Sequence, residues 1–254
     1  MSPSPSSLTL FLSLSHSSLL QLPSLSTISL SLLSLPLMSN NTGPKHIING
    51  WVSISNFLNW IALFSSLKDL SIRVSHNYCN GYSSYEEEEL DAELGLETLN
   101  LSGITRADDS DSGFGWLWRS CKKLKKLQLE SCESIGGDDL SFIKCLKHIE
   151  EKELRSCRSI VGLILLRFAE NCDRLKSVLI YDGGSEQGLL HFIRNCRSIL
   201  QKIDLRLPLD FNNVHLSTIG INMRGLSSLR LQSCCLENGE GLKGLNPGIE
   251  GSKG

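Results

Sequence analysis

A short motif, Leu-x-x-Leu-x-Leu-x-x-Cys, recurs along most of this chain and constrains its fold more than any other feature. The clearest copy is LKKLQLESC, from Leu124 to Cys132. Variants begin at Leu67 (LKDLSIRV), Leu96 (LETLNLSG), Ile149 (IEEKELRSC), Leu175 (LKSVLIYDG), Leu200 (LQKIDLRL) and Leu226 (LSSLRLQSC). Successive copies start 29, 28, 25, 26, 25 and 26 residues apart. Within each copy, x-Leu-x-Leu-x has the period of two that a strand imposes on its side chains. The stretch that follows has room to return as a helix. Two such stretches read as amphipathic: 160–171 (IVGLILLRFAEN), with Val161, Leu165, Phe168 and Ala169 facing inward, and 188–196 (GLLHFIRNC), with Leu189, Leu190 and Ile193 facing inward.

No single unit of this kind can bury its apolar face alone, so neighbours must stack into one continuous core. The expected fold is therefore α/β: a leucine-rich-repeat solenoid, or horseshoe, of about seven repeats. Its strands run parallel on the concave side and its helices lie on the convex side. The solenoid is expected over 45–245, with a flexible tail at 246–254. FLNWIALF (57–64) suits an N-terminal capping helix, and no cap is evident after Leu231. Two copies depart from the pattern. Lys152 stands where a core leucine is expected, which implies a distorted strand or a lysine that reaches back to water. Pro208 takes the place of the template cysteine, which implies that the usual turn is lost there.

Residues 1–44 contain no Asp, Glu, Lys or Arg, and 1–38 hold 13 Ser and 13 Leu. Serines interrupt every apolar run, so no membrane span is expected. The segment lacks the basic region of a secretory signal and the arginines of a transit peptide. It reads as a disordered low-complexity leader, with Met38 as the start of the native chain or with a targeting role as the rival reading.

The nine cysteines have no zinc spacing, and several share the phase of the leucines. They read as small buried side chains in a reducing compartment, cytoplasmic or nuclear. The acidic stretches Glu86–Glu89 and Asp108–Asp111 read as surface loops. None of the six histidines lies in a catalytic motif, and no phosphate-binding glycine loop is present. No enzymatic activity, cofactor or metal is expected. The net charge of −2 gives no general pull toward nucleic acid. Lys122, Lys123, Lys125 and Lys126 cluster near Trp116 and Trp118, but those rings suit a core equally well. Neither nucleic acid nor a membrane is expected as a partner.

The spacing Cys121-x2-Leu124-x2-Leu127-x-Leu129-x2-Cys132-x2-Ile135-x2-Asp138 resembles the cysteine-containing subclass of leucine-rich repeats. Residues 50–245 are similar to the plant F-box/leucine-rich-repeat proteins. That resemblance implies a repeat domain that selects a protein substrate for an SCF ubiquitin ligase and ubiquitin-dependent catabolism. The Skp adaptor would be engaged through an F-box, and no F-box pattern is visible in 1–50. The chain would bind Skp only with an F-box supplied. A non-catalytic scaffold or truncated competitor is the alternative. An extracellular recognition protein is another, for which the Asn100-Leu101-Ser102 sequon speaks.

Repeat phase places two columns of side chains on the concave face. One holds Ser71, Asn100, Gln128, Glu153, Leu179, Asp204 and Arg230. The other holds Arg73, Ser102, Glu130, Arg155, Tyr181, Arg206 and Gln232. Arg and Tyr are enriched among binding hot spots. The expected protein-binding residues are Gln128, Glu130, Glu153, Arg155, Leu179, Tyr181, Asp204, Arg206, Arg230 and Gln232. In the opposing view they pair among themselves, Glu130 with Arg155 first.

Overall fold

Alternating apolar residues form strands here because each strand has a partner on both sides. In a computed structural model of the chain, which describes residues 7–11, 27–32, 61, 66–74, 93–104, 115–133, 135, 146–208, 211–233 and 250–253, every template copy supplies one strand. In chain order these are β3 (Asp69–Val74), β4 (Thr98–Ser102), β5 (Lys126–Glu130), β6 (Glu151–Arg155), β7 (Ser177–Gly183), β8 (Lys202–Pro208) and β9 (Ser228–Gln232). Three strands flank them: β1 (Ser7–Phe11), β2 (Thr27–Leu32) and β10 (Glu250–Lys253). All pairs are parallel, and spatial order equals sequence order. The fold is thus α/β with an all-parallel sheet. β1 and β2 lie within the Ser/Leu-rich segment, and β2 pairs Ile28 with Leu70 and Leu30 with Ile72. β10 lies within the stretch read as the tail.

Among the described residues, four helices of six or more residues lie between strands: α1 (Gly115–Ser120), α2 (Arg158–Asn171), α3 (Glu186–Asn195) and α4 (Asn213–Asn222). A short 3-10 turn spans Leu146–His148. The buried apolar residues of the strands and helices belong to one hydrophobic cluster. In α2 the inward residues are Ile160, Val161, Ile164, Leu165, Phe168 and Ala169. In α3 they are Leu189, Phe192 and Ile193. Phe192 therefore takes the place expected for Leu190: the inward face is centred between Leu189 and Ile193 and leans toward Phe192. Helices α2, α3 and α4 end alike: Asn171, Asn195 and Asn222 each donate a side-chain N–H to the carbonyl four residues back. That bond lays the asparagine side chain back along the last turn. Of the expected capping helix, Ile61 is helical and buried, and the rest lies outside the described residues. Both acidic stretches also lie outside them.

Two backbone devices lock neighbouring units. Just before each strand from β3 to β8, one carbonyl accepts two N–H groups from the next unit. Lys68 O receives Glu97 and Thr98, Glu97 O receives Lys125 and Lys126, and Lys125 O receives Glu150 and Glu151. The same pattern continues through Glu150, Lys176 and Gln201. At the C-terminal end of β4 to β9 the chain turns through a left-handed residue: Gly103, Ser131, Ser156 and Ser233 just past the strand, Asp182 and Leu207 at its penultimate position. The turn is kept at Leu207 (φ 49°) despite Pro208, correcting the expected loss. The left-handed position is one residue earlier than the proline, so the fixed proline φ does not conflict with it.

The cysteines pack as the apolar phase implies. Cys121, Cys132, Cys157 and Cys172 are buried free thiols, and Cys196 is partly buried. Cys79, Cys145, Cys234 and Cys235 lie outside the described residues. The Cys132 thiol donates to Leu101 O (3.6 Å) and Glu130 O (3.3 Å), and Cys157 to Leu129 O (3.5 Å) and Arg155 O (3.1 Å). The Cys157 sulfur in turn accepts the Cys132 backbone N–H at 3.4 Å. A hydrogen bond to Cys157 and burial together raise the Cys132 pKa, so that thiol stays protonated.

Lys152 corrects a second expectation. β6 is regular, and Lys152 sits in register between Leu127 and Val178. It does not reach water: the residue is 1% exposed, and its ammonium lies 4.4 Å from the centroid of the Phe168 ring in α2.

Candidate functional site

A strand with one apolar face buried must present its other face to whatever lies beyond, and here that face carries three in-register columns. Both expected columns are present. Ser71, Asn100, Gln128, Glu153, Leu179, Asp204 and Arg230 are consecutive register partners, as are Arg73, Ser102, Glu130, Arg155, Tyr181, Arg206 and Gln232. A third column at the first strand position went unnoticed in the sequence: Asp69, Thr98, Lys126, Glu151, Ser177, Lys202 and Ser228. Its phase was available two residues before the first column.

The middle of this face is built around β7. Tyr181 is 37% exposed, and Leu179, two residues earlier on the same face, is half-buried. An acid–arginine pair flanks them on each side. On β6, Arg155 donates from Nε and an Nη atom to one oxygen of Glu153, at 3.3 and 3.2 Å. The other Glu153 oxygen faces Lys126 at 3.5 Å. On β8, Arg206 grips Asp204 with both prongs of the guanidinium, at 2.9 and 2.6 Å. That fork matches the carboxylate plane and holds both side chains in one geometry. The Asp204 carboxylate raises the Arg206 pKa above its ordinary value.

The expected Glu130–Arg155 pair does not form. Arg155 turns to the acid two residues earlier on its own strand, and among the described residues Glu130 makes no ion pair. Same-face neighbours i and i+2 are within reach of a long arginine, so the bond need not cross strands. Arg230 is exposed and Gln128 and Gln232 are half-buried.

The basic cluster is largely engaged. Lys125 and Lys68 both reach Glu97, at 2.7 and 3.1 Å, and Lys176 reaches Glu150 at 2.7 Å. Lys126 lies 3.5 Å from Glu151, and Lys123 lies 3.5 Å from Glu93. Lys68, Glu97, Lys125, Glu150 and Lys176 all follow the first apolar residue of their units. They form a row of alternating charge across five copies of the sequence template. The two lysine hydrogen bonds lower the Glu97 pKa, Lys125 first, and the Lys176 hydrogen bond lowers that of Glu150. Trp118 is buried in the core.

His215, which no sequence signal singled out, is fully buried at the start of α4. One ring nitrogen lies 3.2 Å from the Asn212 backbone N and the other 3.0 Å from Glu186 O. Phe211 stacks on its ring at 5.1 Å. These contacts tie α4 to α3, remote from the columns. Among the described residues no group of three or more His, Cys, Asp or Glu side chains is placed to hold a metal. No described helix is long and apolar enough to cross a membrane. Comparison with family models and with curated proteins finds no match to this chain.

Proposed function

We propose that this chain is a leucine-rich-repeat solenoid that binds another protein on the exposed face of its sheet and performs no catalysis. The observation that carries this reading is the centre of that face. Leu179 and Tyr181 form a partly exposed apolar spot, and the pairs Glu153–Arg155 and Asp204–Arg206 are fixed on either side. Pre-ordered side chains lose little entropy on binding, and an aromatic anchor ringed by satisfied polar groups is the usual make-up of a hot spot. The repeated register and the lock between units support the horseshoe architecture. The free thiols support a reducing compartment, cytoplasmic or nuclear. Within the resemblance to F-box/leucine-rich-repeat proteins, the chain acts as the substrate-recognition part of an SCF ligase, with Skp engaged once an F-box is supplied.

The test begins with affinity capture on the full chain, followed by binding of the purified captured protein. Tyr181→Ala combined with Arg206→Ala should weaken that complex at least tenfold while circular dichroism stays unchanged. Arg194→Ala, on the exposed side of α3, should leave it intact. Equal binding by the double variant, or loss on Arg194→Ala alone, would refute the assignment of the face.

A further inference from the structure

The exposed face is electrically divided. On β5 and β6 it carries Lys126, Glu130, Glu151, Glu153 and Arg155, one more acid than base. On β7 it carries Ser177, Leu179 and Tyr181, with no carboxylate, amine or guanidinium among them. On β8 and β9 it carries Lys202, Asp204, Arg206 and Arg230, two more bases than acids. The ion pairs cancel internally: Asp204 is held by Arg206, and Glu153 by Arg155 and Lys126. The surplus therefore falls on Glu130 at one end and on Lys202 and Arg230 at the other. Among the described residues none of these three makes an ion pair.

We propose that the partner presents an extended segment with a basic residue on one side of an apolar residue and an acidic residue on the other. This inference rests on the protein-binding reading above and specifies the chemistry of its partner. The apolar side chain seats on Leu179 and Tyr181, the basic one lies over Glu130, and the acidic one lies over Arg230 and Lys202. Strand spacing sets the interval. Four strand steps from β5 to β9 at about 4.8 Å, with a two-residue offset along the strands, separate Glu130 from Arg230 by about 20 Å. A polyproline II chain, with three residues per turn and about 3.1 Å per residue, covers that in about six residues, so each charge falls about three residues from the apolar centre and on the same side of the chain. A uniformly acidic or uniformly basic partner meets like charge at one end, which costs affinity.

Selection from a random peptide library on the full chain tests this directly. The expected enrichment is an apolar residue with Lys or Arg about three residues to one side and Asp or Glu about three residues to the other. On Lys202→Glu with Arg230→Glu, the acidic preference should vanish or turn basic while the basic flank persists. Salt should weaken the selected peptides severalfold between low and physiological ionic strength. A motif lost on Tyr181→Ala or Leu179→Asp but lacking opposite flanking charges overturns this inference and leaves the binding face standing. Motifs that bind those two variants as well as the parent overturn both. No enrichment on the parent chain overturns the charge pattern, and the purified-partner assay then judges the face alone.

Discussion

Lys152→Met should make the protein more stable. The side chain occupies a core position between Leu127 and Val178, is 1% exposed, and sets its ammonium 4.4 Å from the Phe168 ring. The effective cost of taking an ammonium out of water is several kcal/mol even after the surroundings relax. The cation–π contact, about 2 kcal/mol when desolvated, and the electrostatic interaction with Cys157 return part of that. Replacing buried ions by apolar groups of similar volume gains about 1–4 kcal/mol in comparable cases. Methionine matches the length of the lysine stem and keeps contact with the ring, so the expected gain is about 1–3 kcal/mol. At about 2–4 °C per kcal/mol for a chain of this size, the melting temperature should rise by about 2–12 °C. Urea titration followed by circular dichroism reads the gain as a higher midpoint at constant slope. Lys152→Ala should go the other way by about 2 kcal/mol or more, because it opens a cavity beside Phe168. A midpoint lowered in the methionine variant would refute the reasoning: the ammonium would then hold more interaction energy than its burial costs.

Three further outcomes follow from the geometry. Leu207→Gly should stabilise by about 0.5 kcal/mol: a left-handed non-glycine residue costs about 1–2 kcal/mol and glycine's extra chain entropy takes back about 0.5–1. A melting temperature lowered by this change would contradict it. Cys157→Ala should destabilise by about 2–3 kcal/mol, because it empties a buried site and strips the Cys132 N–H of its acceptor; chemical denaturation checks it, and a neutral result would remove the thiol row from the account. Glu97 and Glu150 have pKa values below the usual carboxylate range, so their stabilisation is present above about pH 4.5 and is lost as pH falls through the lowered folded-state values. Melting temperature should therefore fall on acidification below that point, and Glu97→Gln should flatten the dependence; an unchanged acid profile in that variant counts against the row of charges.

Much of this was legible because the repeat supplies its own phase. Once Leu127 and Leu129 are inward in one unit, the inward residues of the others follow, and so do the outward Leu179 and Tyr181. Sequence phase says nothing about how far a side chain reaches. The choice of Arg155 between Glu130 across the strands and Glu153 along its own strand is a matter of rotamer and distance, and so lay beyond it. The facing of α3 lay beyond it for the same reason: Leu189 and Ile193 point inward either way, and a turn of the helix about its axis by roughly 50° exchanges Leu190 for Phe192 beside them, given 3.6 residues per turn. The charge row and the left-handed row were present in the sequence at fixed offsets, in LKD, LET, LKK, IEE and LKS for the first. They escaped notice because they belong to no single motif and appear only when the copies are aligned.

That charge row also has a consequence for how the chain tolerates loss or gain of whole units. Lys68, Glu97, Lys125, Glu150 and Lys176 alternate strictly, so the array has a parity. Excising the unit of β5 sets Glu97 beside Glu150, two carboxylates where a carboxylate and an ammonium stood. Excising the units of β5 and β6 together sets Glu97 beside Lys176 and restores the alternation. Internal deletions and duplications are therefore better borne in pairs than singly, and this part of the molecule counts its repeats by twos.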